Sequence, residues 1–292
     1  MADSTRGTAL FLLIVLSLIW GTSFILIKQG LKVFDPEEVG ALRVSAAALF
    51  LLPAALNRLR NLRLNHFSKL LLSGMMGIFI PAFLFAVAQT RMDSSVAGIL
   101  NTLTPIFTMI IGAVLFQQRF RPIAVFGIVL GFAGTFMLML SRVGGKVEGI
   151  NLYALLIVAA CILYGSNLNF IKFKIADLSP MTITSVALLM LGPLSLAYLF
   201  GFTGFTEKFS TRAGAWTAFG YTVLLGIMST ATATFLFNRL VKISTPLFAS
   251  SVTYVMPIVA VMWGVLDGER LYLGHYIGMA AIIGGVYLAN RK

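Results

Sequence analysis

Apolar residues run along this chain in stretches of about twenty, parted by short breaks that collect charges and turn residues. A helix rises 1.5 Å per residue, so about 20 residues cross the roughly 30 Å hydrocarbon layer of a bilayer. The breaks predict ten such helices, near 8–28, 36–56, 68–89, 94–116, 122–140, 150–171, 180–200, 214–237, 246–266 and 271–289. Pro36, Pro122, Pro180 and Pro246 open four of them, where a missing N–H costs nothing. The fold class predicted is an all-α membrane protein. The connections are short, and no soluble domain interrupts the series.

Composition agrees: 59% of the 292 residues are apolar and 11% charged, against about 25% charged in soluble domains. The net charge of +12 sits in the breaks, where it sets orientation and meets anionic lipid; it does not point to nucleic acid. Thirteen lysines and arginines, among them Arg58, Arg60, Arg63 and Lys69, fall on the side of the N-terminus, against eight on the other. This predicts both termini in the cytoplasm of a bacterial inner membrane. Arg6 precedes an apolar run from Thr8 to Ile27 with no small-residue cleavage site after it, which reads as an uncleaved first span. The one cysteine, Cys161, lies in an apolar run, permits no internal disulfide and reads as a small core residue.

The sequence repeats itself. A shift of 144 places Trp20-Gly21-Thr22-Ser23 on Tyr164-Gly165-Ser166-Asn167 and Pro36 on Pro180. A shift of 152 pairs Gly74 with Gly226, Phe83 with Phe235 and Pro105 with Pro257, and one of 151 pairs Gln118-Arg119 with Glu269-Arg270 and Gly134 with Gly285. The halves divide at 1–145 and 146–292. Each holds five spans, an odd number, so the second half enters the membrane from the opposite side. The expectation is two inverted five-helix repeats, an arrangement common to secondary transporters.

The Trp20-Gly21 pair, Arg43, the mid-span Pro105 and Pro257, the Gly268-Glu269-Arg270 ending of the ninth span and the glycine-spaced fifth and tenth spans together resemble EamA-type members of the drug/metabolite transporter superfamily. The resemblance covers nearly the whole chain. It implies ten helices in two inverted halves and export of amino acids, other metabolites or drugs. The fourth span departs from the pattern, ending Gln117-Gln118-Arg119 where the family often has Gly-Glu.

A candidate site follows from the prolines. Pro105 and Pro257 each displace the carbonyl four residues earlier, those of Asn101 and Thr253. At mid-membrane such a carbonyl must face protein or a wet cavity. Asn101, Thr102, Thr253 and Tyr254 are therefore candidate substrate-binding residues, with a kink packed by neighbours as the plainer alternative. Trp20 and Tyr164 lie deep in their spans and join the set. Asn167 and Asn169 are two apart and face different ways; Asn167 is preferred because it aligns with Ser23. Arg43 lies about seven residues, roughly 10 Å, inside the second span. It and Glu269 are candidate gating or structural charges, with Asp93 a possible partner of Arg43 and a substrate carboxylate another.

The function expected is secondary transport by alternating access: export of a small metabolite, an amino acid by family resemblance and a neutral or zwitterionic compound by the uncharged midplane. A multidrug exporter and a membrane-embedded lipid enzyme are the alternatives. The enzyme would need a catalytic constellation, and neither a metal-ligand spacing nor a nucleophile–base pair is present, His66 and His275 lying far apart. No cofactor and no metal is expected. The partners expected are the substrate, the lipid and at most a second copy of the chain. Gly127-x-x-x-Gly131 and Gly274-x-x-x-Gly278 allow close packing, either of the fifth and tenth spans on each other or across a dimer.

Overall fold

The computed structural model describes residues 3–60, 62–91, 94–142, 152–266 and 272–289. Among these residues the chain is helical, with no strand. The long helices are α1 (Asp3–Gly30), α2 (Pro36–Leu59), α3 (Leu64–Ala88), α4 (Ser94–Leu100, then Asn101–Leu103 and Thr104–Phe116), α5 (Pro122–Arg142), α6 (Ala154–Lys174), α7 (Pro180–Gly201), α8 (Ala215–Ile243), α9 (Pro246–Ser250 and Val252–Leu266) and α10 (Leu273–Ala289), with one further turn of helix at Lys208–Thr211 between α7 and α8. Seven are long and apolar enough to cross a membrane; Pro122–Met137, Pro246–Val259 and Leu273–Ala289 are apolar but shorter. α8 continues beyond the expected end near 237, because Arg239 and Lys242 extend the helix instead of breaking it.

The outer surface is apolar, as contact with lipid demands: Phe11, Val114 and Leu115 are 65%, 71% and 70% exposed. Inside, Leu16, Phe24, Leu168, Ile171, Leu240 and Val252 belong to one core shared by α1, α6, α8 and α9. The most extensive pairings join α5 to α10 and α2 to α7. The others come in exchanged pairs: α4 packs on α6 as α9 does on α1, and α3 packs on α6 as α8 does on α1.

The aromatic–glycine pairs account for two of these contacts. A Cβ on Gly21 would lie 2.8 Å from the Val259 Cβ of α9, and one on Gly165 would lie 2.8 Å from the Thr108 nitrogen of α4. A hydrogen at each position lets the helices meet while the preceding Trp20 or Tyr164 turns to a different face.

Four breaks in regular helix surround the molecule's centre, one of them the interruption of α9 at Ser251. α4 tightens into a 3₁₀ turn at Asn101–Leu103, just before Pro105. The Asn101 carbonyl, denied its usual partner by the proline, accepts from the Thr104 N–H instead. α3 and α8 each widen into a π-helical segment, Met75–Phe79 and Leu225–Thr232. These lie at positions related by the 152-residue shift, and nothing in the sequence pattern announced them.

Candidate functional site

A cavity of about 100 Å³ lies where α1, α2, α3, α4, α6, α8 and α9 converge. A single buried water needs only about 10–15 Å³, so this exceeds a packing void and suits a small organic molecule. The wall has two characters. Trp20, Phe24, Phe85, Tyr164, Phe237 and Met256 supply apolar surface, and Arg43, Asn101, Thr104, Asn167, Ser229, Thr230, Thr234, Asn238, Ser250 and Thr253 supply polar groups.

The irregular turns place many of these groups. The π segment of α8 brings Ser229 and Thr230 to the cavity, and the Ser229 carbonyl accepts from the Trp20 indole N–H at 3.0 Å. The Trp20 ring meets Phe237 edge-on at 4.8 Å. Gly77, in the π segment of α3, faces Asn167 so closely that a Cβ there would strike the Asn167 amide nitrogen. Asn167 Oδ1 accepts from the Ser73 hydroxyl at 2.7 Å. On α4 the Asn101 side chain accepts from Thr104 at 3.2 Å and points its amide at the Met256 sulfur, 3.7 Å away.

Of the residues singled out from sequence, Trp20, Arg43, Asn101, Tyr164, Asn167 and Thr253 line this cavity. Two expected in the pocket stand outside its lining. The Thr102 hydroxyl is buried and donates to the Ile99 carbonyl one turn back. Tyr254, also fully buried, donates its hydroxyl to the Ile128 carbonyl of α5 at 3.0 Å. Adjacent residues on a helix point about 100° apart, so Thr253 facing the cavity turns Tyr254 toward α5. Tyr254→Phe is therefore expected to cost about 0.6 kcal/mol, the average for an interhelical hydrogen bond in a membrane. The melting temperature of the purified protein should fall slightly, with ligand binding unchanged; Thr253→Val should do the reverse. Glu269 and Asp93 lie outside the described residues.

Asn169 stays out of the cavity, as its two-residue offset from Asn167 requires. It donates to the carbonyls of Thr108 and Gly165, both at 2.9 Å, and accepts from Gln118 at 2.5 Å. Gln118 follows Gln117, whose left-handed backbone (φ 51°) ends α4. The glutamine in the departing Gln-Gln-Arg sequence thus ties α4 to α6. Cys161 is buried beside the Asn101 backbone, its sulfur 3.8 Å from that carbonyl. Sequence reasoning missed the α8 wall of Ser229, Thr230, Thr234 and Asn238; the signal present was five polar residues, Thr232 among them, within ten positions of an apolar helix.

Both ends of the helix bundle carry lysine contacts. At the end where α6 and α8 finish, Lys172 Nζ donates to the carbonyls of Val241 (3.2 Å), Lys242 (3.2 Å) and Ser244 (2.6 Å). Lys242 Nζ returns the contact to the carbonyls of Ile175 (3.2 Å) and Ala176. His66 Nε2 meets Asp177 at 3.1 Å nearby. At the opposite end Lys208, outside the long helices, reaches Asp35 and Glu38 at 2.6 Å each, and Glu38 also accepts from the Asp35 N–H at the start of α2. Burial opposes the charge on Lys208, but hydrogen bonds from both carboxylates and their charges outweigh it and raise its pKa. The raised pKa thus keeps Lys208 charged throughout the neutral range, and the lysine side of the contact is lost as the pH rises past the ordinary lysine value.

Comparison with known proteins adds a relationship. The model of the EamA-like transporter family matches residues 7–140 and 151–291. An uncharacterized transporter of Archaeoglobus fulgidus is 26% identical over 94% of this chain and 95% of its own. The uncharacterized inner membrane transporter YedA of Escherichia coli K12 is 28% identical over 95% of this chain and 89% of its own. The uncharacterized transporter YvbV of Bacillus subtilis is 26% identical over 100% of this chain and 94% of its own. A crystal structure of another protein covers 97% of this chain and 96% of that one with a TM-score of 0.75 at 20% identity, a likeness of fold.

Proposed function

This chain belongs to the EamA-like transporter family, and from that premise we propose that it is a secondary transporter that carries a small metabolite through the central cavity by alternating access. The observation that carries the reading is the cavity itself: a mixed polar and aromatic chamber bounded by seven helices drawn from both halves of the chain. Midplane sites between two repeats are where such transporters hold their cargo.

Two inverted five-helix repeats, 1–145 and 146–292, are the frame of this mechanism. They are supported by the exchanged helix contacts, by the π segments of α3 and α8 at matching positions, and by the two stretches that one family model matches. Such halves have interchangeable conformations, so a cavity closed on one face has a counterpart closed on the other. Both termini are placed in the cytoplasm by the basic bias, and export is the direction favoured. An inner-membrane location is supported by the Escherichia coli relative, an inner membrane transporter.

The test needs no knowledge of the cargo. Ser229→Cys, in a protein whose Cys161 is replaced by alanine, puts one near-isosteric thiol in the cavity wall. A membrane-impermeant maleimide is expected to label it from either face in oriented vesicles, at different rates. Labelling from one face only, under every condition, would contradict alternating access. Reporter fusions are expected to place both termini in the cytoplasm, and an external C-terminus would overturn the topology.

A further inference from the structure

Arg43 stands in the cavity wall with most of its guanidinium uncommitted. Its Nε–H donates to the Thr230 hydroxyl at 3.0 Å, its one hydrogen bond among the described residues. Its four Nη hydrogens meet no acceptor among the described residues. Ion pairs among the described residues join Lys208 to Asp35 and Glu38, and His66 to Asp177, and none of them reaches Arg43. Among the described residues the cavity lining holds neither aspartate nor glutamate. A cation removed from bulk water and left without a counter-ion is costly. Among the described residues Arg43 thus lacks the partner that a structural charge would have.

The planar fork of a guanidinium fits a carboxylate through two parallel hydrogen bonds. With Arg43 as the one basic residue of the lining among the described residues, a single negative charge is matched and a dianionic phosphate ester is not. An ammonium group would meet the same positive charge and find only neutral acceptors such as Asn101 and Asn167. Trp20, Phe24, Phe85 and Phe237 offer an aromatic surface to the rest of the molecule. We propose that the cavity takes a small monocarboxylate with an apolar, preferably aromatic, body and no ammonium group, held at its carboxylate by Arg43. This rests on the cavity being the cargo site. It replaces the neutral or zwitterionic cargo expected from the sequence, where Arg43 counted as a shallow charge apart from the midplane.

Binding by the purified full-length protein, measured by calorimetry, tests it with four compounds that share one phenyl body. At neutral pH, 3-phenylpropanoate is expected to bind at least tenfold more tightly than phenylalanine or 3-phenylpropanamide, with phenethylamine weakest. Arg43→Gln should weaken 3-phenylpropanoate at least tenfold and change the amide less than twofold, which also reports that the variant cavity is intact. Arg43→Lys should restore part of the loss. Equal or tighter binding of phenylalanine would overturn the proposal. So would carboxylate binding that ignores Arg43→Gln, or inorganic phosphate or chloride displacing 3-phenylpropanoate at comparable concentration. Failure of the whole series to bind would overturn the cargo class while leaving alternating access to the labelling test, which uses no ligand.

Discussion

Replacing Lys172 by methionine is expected to raise the exposure of the cavity to the face where α6 and α8 end, the face proposed above as cytoplasmic. The final carbonyls of a helix have no partners within it and carry the negative end of its dipole. Lys172, near the end of α6, meets the carbonyls of Val241 and Lys242 in the last turn of α8 and of Ser244 just past it, and Lys242 meets those of Ile175 and Ala176 just past the end of α6. Each helix thus caps the other, and the two cannot separate without breaking both caps. A hydrogen bond involving a charged group contributes about 1.5–3 kcal/mol. Since about 1.4 kcal/mol is a factor of ten in an equilibrium, loss of one lysine should shift the open population at least tenfold. Methionine keeps the length and the apolar stem of the side chain, so the change isolates the charge.

The reporter for that shift is Leu168→Cys, again with Cys161 replaced by alanine. Leu168 lines the cavity one helical turn from Lys172 and is 1% exposed. Its thiol should resist an impermeant maleimide from the cytoplasmic face in the parent and react at least tenfold faster with Lys172→Met, and faster still when Lys242→Met is added. An unchanged rate in the double variant would show that other contacts, such as His66 with Asp177, hold this face shut.

The lysine caps illustrate where the sequence was readable and where it was not. Apolar runs were legible because bilayer thickness imposes a length on them, and the aromatic–glycine pairs because the repeat displays each twice. Lys172 and Lys242 also stand in plain view, but as loop charges they promised only orientation; their role depends on two helix ends meeting in space. The α8 wall was hidden for a local reason. Serine and threonine in a membrane helix often bond their own backbone, as Thr222 does with Ala218, so the polar cluster of α8 did not by itself point to a cavity. The π segment that turns them there is a register change set by neighbouring helices. Thr253 and Tyr254 are adjacent, and choosing between them required knowing which side of α9 met α5. Depth counted along α2 made Arg43 shallow, whereas its side chain reaches the cavity sideways, toward Thr230 of α8.

The largest effect on folding is expected from a single methyl group between α5 and α10, whose pairing explains the glycine spacing seen in both. A Cβ on Gly285 would lie 2.5 Å from the Gly131 nitrogen and 2.6 Å from the Gly127 carbonyl oxygen, and one on Gly127 would lie 2.3 Å from the Ala289 nitrogen. The obstacles are backbone atoms, which cannot swing aside as a side chain does. Overpacking by one or two methylenes costs about 1–3 kcal/mol, occasionally more, and a backbone collision belongs at the upper end because relief requires the helices to part along their length. Gly284 supplies the control from the next position. A Cβ there comes no closer than 3.8 Å to the end of the Leu130 side chain, an ordinary contact. Both substitutions gain the same helix propensity, about 1 kcal/mol for glycine to alanine. Gly284→Ala should therefore leave the melting temperature of the detergent-purified protein unchanged or slightly raised, while Gly285→Ala lowers it by several degrees and Gly285→Leu prevents recovery of monodisperse protein. Equal behaviour of the two alanine variants would show that α5 and α10 separate readily and that their closeness contributes little. The predicted asymmetry would place the glycine pattern inside the subunit, since a dimer face made of the same residues would be occupied already by this pairing.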